Sequence, residues 1–298
     1  MMDKSSPATT HLDSGVDPDR EEASLQNLFA LFQKTWKREG EGAVCLDFGF
    51  FANVIQIGNT GIAFTTDGVG SKVLIAQMME KYDTIGIDCV AMNVNDLLCV
   101  GAKPIAMVDY IAVQEVDPKY FQEICLGLYH GAIEADISIP GGEIAQLKDV
   151  IKAHKDRPGR GFDLAGSAIG SVAPDKLILG KDLQEGDVII GLESNGIHSN
   201  GLTLARSVFF ERNNFSVETT LPPLDHSLGE ELLKPTYIYT RVVRGILDHG
   251  IHAKALIHIT GDGFLNLTRV SSDVSFLIDR LPSPPAIFSL IQNYGNIQ

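Results

Sequence analysis

The chain has 298 residues, 44% of them hydrophobic and 21% charged, a composition typical of a globular protein with room for two domains. Its formal net charge of −14 opposes binding to nucleic acid or to anionic membranes, and no apolar run reaches the roughly 18 residues of a membrane helix. Residues 1–20 are polar and acidic without an apolar signal region, so we expect a flexible lead-in and a cytoplasmic protein.

Helical and strand-like spacings follow in turn. Apolar residues between Glu22 and Arg38 recur at helical spacing, and residues 53–57 and 61–65 flank Gly58-Asn59-Thr60 as a β-hairpin would. The second strand leads into a glycine turn, Asp67-Gly68-Val69-Gly70-Ser71-Lys72. Its glycines allow backbone N–H groups to face an oxyanion, and Lys72 can add a positive charge. The turn lacks the phosphate-loop pattern, and a solvated surface turn is the alternative interpretation.

The spacing of residues 83–100 predicts a helix that Gly101 ends, with Pro104 just beyond. Asp88, Asn95 and Asp96 share one face of it, while most of the remaining surface is apolar, so the helix is expected to be buried. Buried carboxylates are costly unless they are paired or bind a metal. Metal binding is the favoured interpretation, and ion pairs with the few nearby lysines are the alternative.

A strand over residues 105–113, which contains Asp109, precedes a helix that begins at Asp117-Pro118 and continues to Ile133. A short strand over residues 137–139 then leads into Gly141-Gly142-Glu143. Glu143 is either a second carboxylate that approaches the same cavity or an ordinary turn residue. Residues 146–163 are predicted to form a polar loop and residues 164–172 a buried strand.

Residues 174–187 mark the expected domain boundary. Beyond it, residues 188–192, 202–210, 238–247, 255–259 and 275–278 alternate strand-like and helix-like segments, so the fold class is mixed α/β in two parts. The segment 191–201 concentrates hydrogen-bond donors before a helix, where His198 is a proton donor or simply a helix-start hydrogen bonder. Thr260-Gly261 follows a predicted strand and can form a second anion cradle.

In order along the chain, these motifs resemble those of the aminoimidazole ribonucleotide synthetase family, the phosphoribosylformylglycinamidine cyclo-ligases. The matching pieces cover nearly the whole chain, and their collinearity is more specific than any one of them. They include Ser14-Gly15-Val16-Asp17, the glycine turn, Asn95-Asp96-Leu97, Gly101-Ala102-Lys103-Pro104, Gly141-Gly142-Glu143, Asp163-Leu164-Ala165-Gly166, Gly196-Ile197-His198-Ser199-Asn200-Gly201, Leu232-Leu233-Lys234-Pro235-Thr236 and His258-Ile259-Thr260-Gly261.

The resemblance implies a homodimer of two-domain α/β protomers, in which strands of the N-terminal domains (residues 21–174) form an interface barrel. It also implies that ATP and Mg²⁺ drive ring closure of formylglycinamidine ribonucleotide to aminoimidazole ribonucleotide, with release of ADP and phosphate. By position, His198, Asp96 and Lys72 would be catalytic, and Asp67, Asp88, Asp96 and Glu143 would bind the metal. The nucleotide would contact Asp67, Gly68, Val69, Gly70, Ser71, Lys72, Asp88, Asn95, Gly141 and Gly142, and the substrate would contact Ser199, Asn200, Gly201, Thr260 and Gly261.

Family members normally continue past the position of Gln298, so the C-terminal domain (residues 175–298) is expected to be truncated. Two alternatives remain. One is another ATP-using enzyme of the same superfamily, such as formylglycinamidine ribonucleotide synthetase or thiamine-monophosphate kinase. The other is a nucleotide-binding protein without catalysis.

Overall fold

Six strands form one mixed sheet in the first half of the computed structural model, which describes residue 25, residues 27–155 and residues 158–297. The strands are β1 (Ala43–Val44), β2 (Asn53–Ile57), β3 (Thr60–Gly68), β4 (Lys103–Val113), β5 (Ser138–Gln146) and β6 (Phe162–Val172). They lie in the order β1-β2-β3-β6-β4-β5, and every neighbouring pair is antiparallel except β4 and β5. The mixed α/β class and the predicted hairpin of β2 and β3 are confirmed.

Three helices accompany this sheet: α1 (Lys72–Met79), α2 (Ile85–Cys99) and α3 (Pro118–Ala135). The predicted burial of α2 is confirmed, because thirteen of its fifteen residues are buried. Gly166 of β6 allows α2 to approach the sheet, since a Cβ at that position would meet the side chains of Asn93 and Cys89. Asp117 caps α3 by accepting a hydrogen bond from the N–H of Lys119, as predicted.

One expectation for the first half changes, and another concerns residues that the structure does not describe. The predicted lead-in, residues 1–20, lies outside the described residues, as does the start of the predicted N-terminal helix, of which residues 27–32 are helical. The strand predicted over residues 137–139 continues to Gln146, so Gly141, Gly142 and Glu143 lie inside β5 and do not follow a strand end. Pairing with β4 extends this edge strand through the glycines, which local preference alone disfavours.

The second half forms helices but none of the predicted strands. Its helices are α4 (Leu202–Arg206), which continues as a π-helix (Ser207–Arg212), α5 (Leu228–Leu232), α6 (Thr240–Asp248) and α7 (Ala286–Gly295). The strands predicted at residues 188–192, 255–259 and 275–278 are wrong, because these segments join no ladder among the described residues. A strand requires a neighbouring strand, and alternation of side chains does not supply one.

The two faces of the sheet differ. The face toward α2 is buried, whereas the other face carries Phe64, Ile169, Val108 and Tyr110, each 41–45% exposed. Phe64 lies opposite Ile169 across the β3–β6 pair. We call the exposed surface that carries these four side chains the open face. None of the helices in the described part of the chain is long and apolar enough to cross a membrane.

Candidate active site between the two halves of the chain

Two asparagines of α2 hold backbone segments of both halves. Asn93 accepts a hydrogen bond from the N–H of Asp67 at 3.0 Å and donates one to its carbonyl at 3.2 Å. Asn95 donates to the carbonyl of Tyr237 at 2.8 Å and accepts from the N–H of Tyr239 at 3.1 Å. The predicted nucleotide contact of Asn95 therefore has no geometric support, because its amide is already paired with the second half.

A buried ion pair lies beside them. The Nζ atom of Lys72 is 2.9 Å from Oδ1 and 2.8 Å from Oδ2 of Asp88, and both side chains are fully buried. Nζ also donates to the carbonyl of Lys234 at 2.6 Å, while Oδ1 of Asp88 accepts from the N–H and the hydroxyl of Thr236 at 2.7 Å each. Burial lowers the pKa of Lys72, and the charge of Asp88 opposes that shift.

This pair bears on the expected roles of Lys72 and Asp88, which stay predictions. Lys72 does not face open space, because its N–H donors are directed at Asp88 and Lys234, so a contact with phosphate is not what this geometry supports. For Asp88 the structure contains the ion pair, the alternative to metal binding. The network instead fixes residues 234–236 of the second half against α1 and α2.

Asp67 and Asp96 are the two predicted metal ligands that lie together. Burial raises the pKa of Asp67 and the negative charge of Asp96 raises it further, whereas a hydrogen bond from the N–H of Gly68 and the proximity of His258 lower it. Oδ1 of Asp67 accepts that bond at 2.7 Å. Oδ1 of Asp96 lies 2.8 Å from Nδ1 of His258, which belongs to the second half.

Glu143 does not join these acids. Asp67, Gly166, Asp109 and Gly142 form one row across β3, β6, β4 and β5. Successive side chains of a strand point to opposite faces, so Glu143, one residue beyond Gly142, points away from the face that carries Asp67. Within the described part of the chain, no three His, Cys, Asp or Glu residues lie close enough together to hold a metal ion.

A cavity of about 480 Å³ opens at the β5 edge of this row. Its walls are largely apolar and come from α3, β4 and β5, and Asp109 and Gly142 lie among them. A Cβ at Gly142 would collide with the carboxylate of Asp109, so this acid lies directly over the glycine and would have to move for a larger residue. Burial raises the pKa of Asp109. The cavity has the size and character of a small-molecule site.

The two predicted anion-binding segments adjoin one another. The hydroxyls of Ser71, which precedes α1, and Thr203, in the first turn of α4, are 2.8 Å apart. Gly70 and Gly201 have φ values of 67° and 77°, and a Cβ at either would meet nothing within 4 Å, so both border open space. The N–H of Val69 is already committed to the carbonyl of Leu164.

His198 is 9% exposed and has a φ of 56°, in the left-handed region. Its Nε2 accepts a hydrogen bond from the N–H of Asn195 at 2.8 Å, so we assign the ring proton to Nδ1. Burial, followed by the charges of Lys72 and His258, lowers the pKa of His198 to about 4. The imidazole is therefore neutral near pH 7, which fits the hydrogen-bonding alternative better than proton donation by an imidazolium.

The remaining predicted substrate residues lie in two segments that meet. The hydroxyl of Ser199 is 3.1 Å from that of Thr236. Oδ1 of Asn200 lies 3.6 Å from the position of a Cβ on Gly261, so the segments 199–201 and 260–261 are in contact. The structure thus brings together segments of the second half that are about 60 residues apart in the sequence.

Asn93, Thr236 and His258 are site residues that were not among the predicted ones. Thr236 and His258 stand in motifs already recognised, Leu232 to Thr236 and His258 to Gly261, but a motif does not identify its partners. Asn93 binds backbone groups of Asp67, an interaction that leaves no trace in sequence spacing.

The chain matches family models, named relatives and solved structures. The family models described as AIR synthase related protein, N-terminal domain and C-terminal domain, match residues 50–172 and 184–291. A protein of Methanobrevibacter smithii named phosphoribosylformylglycinamidine cyclo-ligase is 47% identical over 95% of this chain and 80% of its own length. One of the same name from Methanothermobacter thermautotrophicus is 46% identical over 96% of this chain and 81% of its own length.

A solved structure of thiamine monophosphate kinase from Aquifex aeolicus is also similar. It is 15% identical with a TM-score of 0.42, over 63% of this chain and 56% of that one.

Proposed function

Since the chain belongs to the AIR synthase related protein family, we propose that it is a phosphoribosylformylglycinamidine cyclo-ligase of purine biosynthesis. The observation that carries the proposal is the convergence of its two halves. Asp67, Asp96 and the glycine turn of the first half adjoin Thr203 and His258 of the second. A reaction between ATP and a second phosphorylated substrate requires such a shared cleft, because catalysis depends on holding both reactants in register.

In this reaction the formyl amide oxygen of formylglycinamidine ribonucleotide attacks the γ-phosphorus of ATP, and ADP leaves. An internal nitrogen then forms a C–N bond to the activated carbon, and phosphate leaves as the imidazole ring closes. Phosphoryl transfer mainly requires positioning and neutralisation of charge. The chain's part is therefore to align the two substrates and to balance the charge of the phosphates.

Asp67 and Asp96 are the residues that would hold a magnesium ion. Mg²⁺ in nucleotide sites is bound by one or two carboxylates together with phosphate oxygens, so a third protein acid is not needed. The negative charge of Asp96 raises the pKa of Asp67, a repulsion that a bound cation would relieve. The ion, when bound, would neutralise charge on the transferred phosphoryl group.

The cavity beside β5 suits the base of the nucleotide. Its apolar walls can enclose an aromatic ring, and Asp109 and Gly142 connect it to Asp67 along one row of the sheet. Strands are about 4.8 Å apart, so Asp67 and Gly142 are separated by roughly 14 Å. A nucleotide that extends along this row would carry its phosphates toward Asp67 and the glycine turn.

The second substrate would bind on the opposite side of the turn. His198, Ser199, Asn200, Gly201, Thr260 and Gly261 supply neutral donors and an approachable backbone there. A neutral imidazole at His198 can donate a hydrogen bond from Nδ1 but does not repel Mg²⁺, which a charged one would.

The test is turnover. Purified chain with formylglycinamidine ribonucleotide, ATP and Mg²⁺ should form ADP and aminoimidazole ribonucleotide in equal amounts. Asp67→Asn should lower kcat by about 100-fold or more, the effect of losing one charge-stabilising group. Asp175→Asn, an exposed acid outside the cleft, is the matched control and should change nothing. ATP binding without product would favour the non-catalytic alternative, and unchanged kinetics of Asp67→Asn would refute its role.

The open face supports a homodimer in which the N-terminal sheets of two protomers face each other as an interface barrel. Phe64, Ile169, Val108 and Tyr110 place four exposed large apolar side chains on one face of the sheet. Sedimentation velocity should show a dimer, and Ile169→Lys should convert it to monomer because the lysine would be buried against an apolar partner. Glu218→Lys, at an exposed position of the second half outside the sheet, should leave the dimer intact. A monomeric parent chain would contradict this proposal.

We also propose a division of the chain into two domains with different roles. The N-terminal part, residues 21–174, would bind ATP and form the dimer, and residues 175–298 would complete the substrate side. The family matches, which end at residue 172 and resume at residue 184, support a boundary between these parts.

A further inference from the structure

Among the described residues, the carboxylate of Asp96 has one hydrogen-bond partner, which is His258. The histidine is 7% exposed and lies 162 positions further along the chain. Because a carboxylate oxygen accepts, the ring proton in this bond lies on Nδ1 of His258. The interaction fixes Oδ1 of Asp96 and leaves its other oxygen available.

A second part of His258 also lies near α2. Burial raises the pKa of the Cys99 thiol, one turn beyond Asp96 on the same helix, and the backbone of His258 lies close enough to oppose that rise. His258 also lies two residues before Thr260, where the predicted substrate segment begins. Its imidazole therefore connects the carboxylate side of the cleft with the substrate side.

We propose that His258 is a positioning residue that orients the carboxylate of Asp96 toward the cation of the bound nucleotide. The inference rests on the proposed function. Carboxylates that bind metal ions are held by outer hydrogen bonds, and the loss of such a partner typically reduces metal affinity or activity about 10- to 100-fold. His258 does not contact the cation; it limits the rotation of Asp96 so that the free oxygen is directed at it.

Three variants distinguish the loss of the hydrogen bond to Asp96 from a mere change in the size of the side chain. His258→Leu removes the donor, and His258→Asn retains a donor near the place of Nδ1. His252→Leu is the matched control, because His252 forms a bond of the same length, 2.8 Å, with Asp182 at the exposed surface. His258→Leu should lower kcat at limiting Mg²⁺ by about 10- to 100-fold and raise the Mg²⁺ concentration needed for half-maximal rate. His258→Asn should recover most of both, and His252→Leu should match the parent chain.

Two further measurements exclude a purely structural effect. The rise in melting temperature on addition of ATP with Mn²⁺, in place of Mg²⁺, measures cation binding without turnover. Of the three variants, only His258→Leu should show a smaller rise than the parent chain. In an Asp96→Asn background, His258→Leu should add little, because residues that act through one another are not additive. Full additivity, or a His258→Leu variant as active as its parent, would overturn the inference. A parent chain without turnover would instead count against the proposed function.

Discussion

Lys72→Met should lower the free energy of unfolding by about 3–5 kcal/mol, the typical loss when one partner of a buried ion pair is removed. Methionine is long and unbranched, so it fills most of the space of the lysine. Asp88 would then remain fully buried without a cation, retaining only its two bonds from Thr236. The carbonyl of Lys234 would lose its donor as well.

Urea unfolding at pH 7 measures this effect, and Arg244→Met provides its control. Arg244 pairs with Asp248 at the exposed surface of α6, where such pairs contribute less than about 1 kcal/mol. Adding Asp88→Asn to Lys72→Met should cost less than the sum of the two single changes, because the new amide would carry no buried charge while its oxygen still accepts from Thr236. A loss below about 1 kcal/mol for Lys72→Met would contradict the buried pair.

The ion pair of Lys72 and Asp88 also determines how the loss of Lys72 should affect activity. If Lys72 acted as a phosphate ligand, its loss would mainly raise the KM for ATP. Because its Nζ instead binds Asp88 and the carbonyl of Lys234, we expect its loss to displace Thr236 and, through it, Ser199. The pair therefore acts on the substrate segment through structure.

Local patterns in the sequence predicted α2 well and its partners poorly. Apolar spacing predicted that the helix is buried, and the cost of buried acids correctly indicated that Asp88 and Asp96 need partners. Those partners lie in the second half, 148 positions away for Thr236 and 162 for His258. Spacing within a helix contains no information about contacts at such separations.

Strand pairing is the second feature that local sequence patterns predicted poorly. Glu143 was expected to approach the cavity of Asp67 from the end of a strand, but the continuation of β5 through Gly141 and Gly142 directs it to the opposite face. Residues 188–192 are an apolar run like that of a strand, yet Val188 and Ile190 are more than four-fifths exposed. Both errors have one cause: strands are defined by their neighbours, which local composition does not specify.

His198→Asn should remove a large part of the acid sensitivity of the fold. The pKa of His198 is lowered from 6.5 to about 4 in the folded chain, so between these values the unfolded chain binds a proton that the folded chain does not. Stability from this group is complete above pH 6.5 and is lost as the pH falls toward 4. The shift corresponds to about 3 kcal/mol.

Asparagine suits this test because it does not titrate and tolerates the left-handed backbone at this position. Unfolding free energies at pH 7 and pH 4.5 should therefore differ by about 2–3 kcal/mol less in His198→Asn than in the parent chain. His130→Asn, at an exposed position of α3, should retain the parent's difference. An equal pH dependence in His198→Asn and the parent would mean that His198 binds a proton as readily in the folded chain as in the unfolded one, which would contradict the lowered pKa.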